Sequence, residues 1–179
     1  MTQNQQEQPT VFIVDDDPAI RFAMQALMDS VNIEHEIYSS GDEFLEKVDD
    51  HRAGCLVLDI RMPGLGGLEL QEELIKRGNT LPIIFITGHG DIPMAVEAMR
   101  RGAVDFIRKP FREHDLLERI NEALSLDDTV HQAALGREAL DKKLATLTER
   151  EWDVFKRVAD GEMNKVIAAD LGISERTVE

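Results

Sequence analysis

A single cysteine, Cys55, stands in the 179-residue chain, so no disulfide can form within it, and the chain suits a reducing compartment. It lies in the apolar run Cys55-Leu56-Val57-Leu58 and reads as a buried small hydrophobe, not a reactive thiol. Apolar runs long enough to cross a bilayer are missing, and the polar start MTQNQQEQP has no signal-peptide core. The expectation is a cytoplasmic protein without a membrane partner, opening on a disordered tail over residues 1–9. Positive charge is scarce too: 20 Lys and Arg face 35 Asp and Glu, a formal net charge of −15. Such a chain is no generic nucleic-acid binder, and any DNA contact would have to come from a local patch.

What the first two-thirds does contain is alternation. Short apolar runs at 11–14, 35–38, 55–58, 82–87 and 104–107 read as strands. Between them, apolar residues recur at helical spacing: Ile20, Met24, Leu27 and Val31; Leu68, Leu70, Leu74 and Ile75; Ile92, Val96 and Met99; Leu116, Leu117, Ile120 and Leu124. Strand–helix units in strict alternation predict a doubly wound α/β domain over residues 10–124, with a five-stranded parallel sheet covered on both faces. Its functional crevice should lie at the carboxyl ends of the strands.

Those ends carry chemistry. Strand one runs into Asp15, Asp16 and Asp17, strand three ends at Asp59, strand four at Thr87, and strand five leads to Lys109-Pro110. Clustered carboxylates repel unless a cation joins them, and hard oxygen ligands favour Mg²⁺. A carboxylate beside such an ion can act as a nucleophile toward phosphorus, with Lys109 and Thr87 available to neutralise the new phosphoryl oxygens. Each residue alone has a plainer role, as a helix cap or a loop lysine.

The motifs VDDD, LDIRMPGLGG, ITGHGDIPMAVEAM and GAVDFIRKPF together resemble the receiver domain of bacterial two-component response regulators, especially the FixJ type. The resemblance implies that Asp59 accepts a phosphoryl group from a sensor histidine kinase. Asp16, Asp59 and the backbone carbonyl of Arg61 would ligate Mg²⁺, and Asp15 would act mainly through water. Thr87 and Lys109 would hold the phosphoryl group. Asp17 is expected to cap the first helix, and His89 to be a loop position that shifts on activation. Phe106 matches the aromatic that rotates when Thr87 moves, and it reads equally well as core. Helix four and strand five, with Pro93, Met94 and Val96, would form a phosphorylation-dependent homodimer.

Beyond residue 124 the strand signals stop. Leu126, Val130, Ala133, Leu140, Leu144 and Leu147 fall on a heptad-like seam broken once by Arg137. A helical linker over 125–145 is expected, either a dimer seam or a simple connector, with Gly136 its weak point at about 1 kcal/mol against alanine. A unit over 146–179 follows: Thr148 and Glu151 form a capping box, Trp152, Val154, Phe155 and Val158 an apolar face, and Asn164 is expected to cap the next helix. This stretch is similar to the LuxR-type helix-turn-helix domain, with Ala168, Gly172 and Val178 at the small, turn and buried positions. By that resemblance Ser174, Glu175, Arg176, Thr177 and Glu179 open a recognition helix that is cut off in its first turn. Residues 144–179 hold five Lys and Arg against eight Asp and Glu, so weak promoter binding is expected of this chain and transcription control of a longer parent. Two other classes compete with the switched regulator. One is a Mg²⁺-dependent phosphatase built on Asp15 and Asp17, which the LDIRMPG and RKPF contexts disfavour. The other is a receiver acting only through protein contacts.

Overall fold

The structure, a computed structural model, describes residues 8–88 and 91–178. Most of the tail expected over 1–9, together with His89 and Glu179, therefore lies outside the described residues. The chain divides into two compact units, one ending at His131 and one starting at Gln132.

The first unit contains strands β1 (Thr10–Val14), β2 (His35–Tyr38), β3 (Gly54–Asp59), β4 (Ile83–Thr87) and β5 (Asp105–Arg108). Helices α1 (Pro18–Ser30), α2 (Gly41–Lys47), α3 (Gly67–Lys76) and α4 (Ile92–Arg100) alternate with them, and α5 (Glu113–Ala145) follows. All pairings are parallel, in the order β2-β1-β3-β4-β5. β1, β3 and β4 are buried along their whole length because helices cover both faces of the sheet. Alternate residues of each strand feed opposite cores. Phe12, Leu56, Leu58 and Phe85 pack with Phe44 of α2, Leu70 and Leu74 of α3 and Ala98 of α4. Ile13, Val57 and Ile84 pack with Met24 and Met28 of α1 and Leu116 and Ile120 of α5. The chain moves outward from β1 to β2 and then back across to β3, which opens a crevice between the carboxyl ends of β1 and β3.

The helical stripe Ile92, Val96 and Met99 is exposed, and α4 buries only Ala95 and Ala98. Ile75 and Val31 are likewise exposed at their helix ends. α2 has no apolar repeat to announce it; its start is fixed by Ser40, whose side chain accepts the N–H of Glu43.

α5 runs unbroken through Gly136, where a Cβ would meet nothing within 4 Å. Leu126, Val130 and Leu140 of the seam are exposed, and Leu147 falls beyond the helix end at Ala145. The second unit holds α6 (Glu149–Ala159), α7 (Asn164–Leu171) and the short α8 (Glu175–Val178). The Thr148–Glu151 capping box is formed as read. Asn164 is not a cap but the first residue of α7: Met163 takes the cap position and makes no side-chain bond there. α6 buries none of its residues; Trp152 stacks on Phe155 at 5.5 Å, and both are exposed. Ile167 and Ala168 are the buried residues among those described in this unit, and Gly172 ends α7 in the left-handed conformation.

Candidate acidic site at the strand ends

The sheet order brings the ends of β1 and β3 side by side, so residues 44 positions apart share one edge. Oxygens of Asp15, Asp16 and Asp59 lie within 4.8 Å of one another. Asp15 and Asp59 are buried, whereas Asp16 is exposed. Lys109, carried there by β5, sits with its Nζ 3.2 Å from Asp15 and 3.6 Å from Asp59. One ammonium faces three carboxylates, which leaves the cluster short of positive charge. Its all-oxygen donor set suits a hard divalent cation. Burial, joined by the charge of Asp15, pushes the Asp59 carboxyl up to about 6, against the opposing pull of Lys109 and a hydrogen bond from the backbone N–H of Arg61.

The local backbone is built to deliver these groups. Asp15 accepts the N–H of Asp17 at 2.8 Å, and Asp17 in turn accepts the N–H of Ala19 at 2.8 Å and starts α1. Arg21 Nη1 reaches back from α1 and donates to the carbonyls of both Asp15 and Asp16, each at 2.8 Å. No signal in the sequence marks Arg21 for this work, since it reads as one polar residue on an amphipathic helix. Past β3, Gly67 donates to the carbonyl of Ile60 at 3.1 Å. A Cβ at Gly67 would stand 2.6 Å from the carbonyl oxygen of Asp59, so only glycine lets α3 begin this close to the acid.

Thr87 is buried, and its hydroxyl donates to the carbonyl of Ile107 at 3.3 Å, toward β5 rather than the acids. Phe106, next to Ile107, is half-buried and packs against the core face shared with Phe12 and Phe85. Pro93 and Val96 are exposed on α4, while Met94 is half-buried against that same core. In the second unit, Ser174 Oγ and Thr177 Oγ1 lie 2.7 Å apart at the opening of α8, and Glu175 and Arg176 point into solvent.

Two further acidic residues, which reading the sequence missed, are also buried near these elements. Asp91, before α4, accepts the N–H of Gly88 at 2.9 Å and is paired with Arg61. Asp127 on α5 accepts the N–H of Gly54 at 2.8 Å, at the opposite end of β3 from Asp59. Asp91 lies inside the ITGHGDIPMAVEAM motif without being singled out there, and Asp127 lies outside every motif; each has a partner 30 or more residues away. Among the described residues no helix is long and apolar enough to cross a membrane.

Residues 11–121 match the family described as the response regulator receiver domain, and residues 145–179 match the luxR family of bacterial regulatory proteins. The chain is 45% identical to the response regulator protein TmoT of Ectopseudomonas mendocina, over 97% of this chain and 79% of that protein. It is 46% identical to nodulation protein W of Bradyrhizobium diazoefficiens, over 94% of this chain and 74% of that protein. Among solved structures it resembles the response regulator StyR (TM-score 0.84, 46% identity, 96% of this chain and 86% of that one). It also resembles full-length FixJ from B. japonicum (TM-score 0.66, 35% identity, 96% and 84%).

Proposed function

The chain belongs to the response regulators that join a receiver domain to a luxR-family DNA-binding domain, and from that premise we propose that Asp59 accepts a phosphoryl group from a sensor histidine kinase and thereby switches transcription. The observation that carries this reading is the convergence of Asp15, Asp16, Asp59 and Lys109 on one sheet edge. A carboxylate oxygen of Asp59 would bond to phosphorus as the phosphorus–nitrogen bond of the phosphohistidine breaks, and the departing imidazole nitrogen would take up a proton. Bound Mg²⁺ would supply charge neutralisation between the carboxylates and the phosphoryl oxygens. Asp16, Asp59 and the carbonyl of Arg61 would hold that ion, with Asp15 acting through water. Lys109, already between Asp15 and Asp59, would pair with a phosphoryl oxygen.

Thr87 would serve the phosphoryl group by giving up its bond to Ile107, which loosens the link between β4 and β5 beside Phe106. Phe106 has no hydroxyl, so its part is repacking. Exposed Pro93 and Val96 on α4, with β5, would form the face of a phosphorylation-dependent homodimer. The domains run from a receiver at 10–124 through a helical linker to a DNA-binding unit from 146, in which Ser174, Glu175, Arg176 and Thr177 would open the DNA-facing helix. The alternative of a phosphatase using Asp15 and Asp17 is not favoured, because the Asp17 side chain is committed to capping α1.

Incubation with a small phosphodonor and Mg²⁺ tests the assignment. The wild-type protein should gain one phosphoryl group by intact mass, and Asp59→Asn none. Retention of the label in Asp59→Asn would refute it.

A further inference from the structure

Asp91 occupies the cap position of α4, where an aspartate ordinarily accepts the helix's own first N–H groups. Here its side chain makes no capping bond. One oxygen instead accepts the N–H of Gly88, the residue after Thr87, and the other accepts from Nε of Arg61, two residues past Asp59. The carboxylate is nearly fully buried, while the Arg61 side chain is 66% exposed. The backbone N–H of Arg61 serves Asp59 itself. A single buried carboxylate thus ties together the loop after β3, the loop after β4 and the start of α4.

The rest of α4 is thinly held. Its buried side chains are two alanines, and its larger apolar residues Ile92, Val96 and Met99 face solvent. Near its far end the carbonyl of Ala98 accepts from Nε2 of the buried Gln71 at 3.0 Å. A helix with so little apolar anchorage opens locally at low cost, so its polar ties decide how firmly it is seated. We propose that Asp91 is a positioning residue, a clamp that with Arg61 and Gly88 couples the state of Asp59 to the seating of α4. A charge added on Asp59 acts on Arg61, two residues further along the chain, whose guanidinium is paired with Asp91. Any shift of Thr87 draws on Gly88, held by the other oxygen of the same carboxylate. Both movements reach α4 through one group.

Hydrogen–deuterium exchange of the full chain, read by mass spectrometry, tests the clamp with Arg61→Ala, Arg61→Lys and Asp91→Asn. Without phosphodonor, Arg61→Ala should exchange the α4 amides about tenfold faster or more, the scale expected when a charge-assisted tie to a locally opening element is lost. The β1 and β3 amides should not change, and Arg61→Lys should recover part of the loss. Asp91→Asn, which keeps an acceptor for Gly88 but loses the ion pair, should resemble Arg61→Ala. The second arm rests on Asp59 as the phospho-acceptor: phosphorylation should change α4 exchange in the wild type and leave it unchanged in Arg61→Ala brought to the same phosphoryl load by intact mass. Unchanged α4 exchange in unphosphorylated Arg61→Ala, or undiminished transmission to α4 in that variant, would overturn the proposal. A wild-type protein that takes no label would instead defeat the assignment of Asp59, and the first arm would still decide the clamp. Global loss of protection in Asp91→Asn leaves the decision with Arg61→Ala, whose exposed side chain can be removed without emptying the core.

Discussion

Replacing Asp59 by asparagine should stabilise the receiver, although it removes the group on which the proposed reaction depends. The Asp59 side chain is 10% exposed and stands beside Asp15, with Lys109 the nearby ammonium. Its carboxyl is raised from 3.8 to about 6 in the folded chain, so above pH 6 the fold carries a charge that the unfolded chain holds more easily. A displacement of that size corresponds to about 2–3 kcal/mol. Asparagine keeps an acceptor for the Arg61 N–H and removes the repulsion with Asp15. For a domain of this size the gain is a melting temperature higher by roughly 5–10 °C. The assay is differential scanning calorimetry of the receiver transition in chelator, at several pH values.

The sign follows from linkage. A carboxyl with a raised folded pKa takes up its proton in the folded state first. The wild type therefore gains on the variant as pH falls through 6, and the gap closes near 3.8. Added Mg²⁺ should stabilise the wild type and narrow the gap at pH 7.5. A variant no more stable than wild type at pH 7.5 in chelator, or a gap that ignores pH, would refute the electrostatic account of the site.

Two further predictions concern the scaffold and the exposed helix. Gly54→Ala should cost about 4 kcal/mol by urea denaturation, because the residue sits at φ +145° and a Cβ would lie 1.8 Å from the carbonyl oxygen of Thr10. Val96→Glu should change stability by no more than about 0.5 kcal/mol, since Val96 touches solvent rather than core. The same variant should keep full phosphoryl uptake and lose the phosphorylation-dependent dimer in light scattering. A dimer that survives would move the interface away from α4.

The sheet and the acid cluster were legible because both rest on local pattern. Runs such as VFIV and CLVL, short and alternating with helical repeats, read as strands buried on two faces, and the parallel order then sends Asp15 and Asp59 to a common edge. Asp17 was legible for the same reason, since a cap is a relation between near neighbours. In α4, periodicity finds a stripe without saying which side it faces. Its large residues form the outward stripe, and the inward one is made of alanines that carry little hydrophobic signal. Asn164 was misread because a capping residue type one position inside the helix looks the same in sequence. The ties of Asp91 to Arg61 and of Asp127 to Gly54 were out of reach, because folding brings those partners near and no spacing rule connects them.

The bond from Asp127 to Gly54 bears on how this protein could be recombined. It grips α5 about two turns past the receiver's last large core residue, Ile120, and does so from the base of the strand that carries Asp59. Gly54 admits no other residue, so the grip has a fixed seat. Removing one residue between Ile120 and Asp127 would turn the carboxylate by about 100° around the helix and take it off that seat. A chimera that transplants this receiver onto a different output should therefore keep the native sequence through His131, the residue that ends the first unit, and place its junction after it. Junctions cut at the end of the apolar pattern, near Leu124, would discard the grip while appearing to preserve the domain.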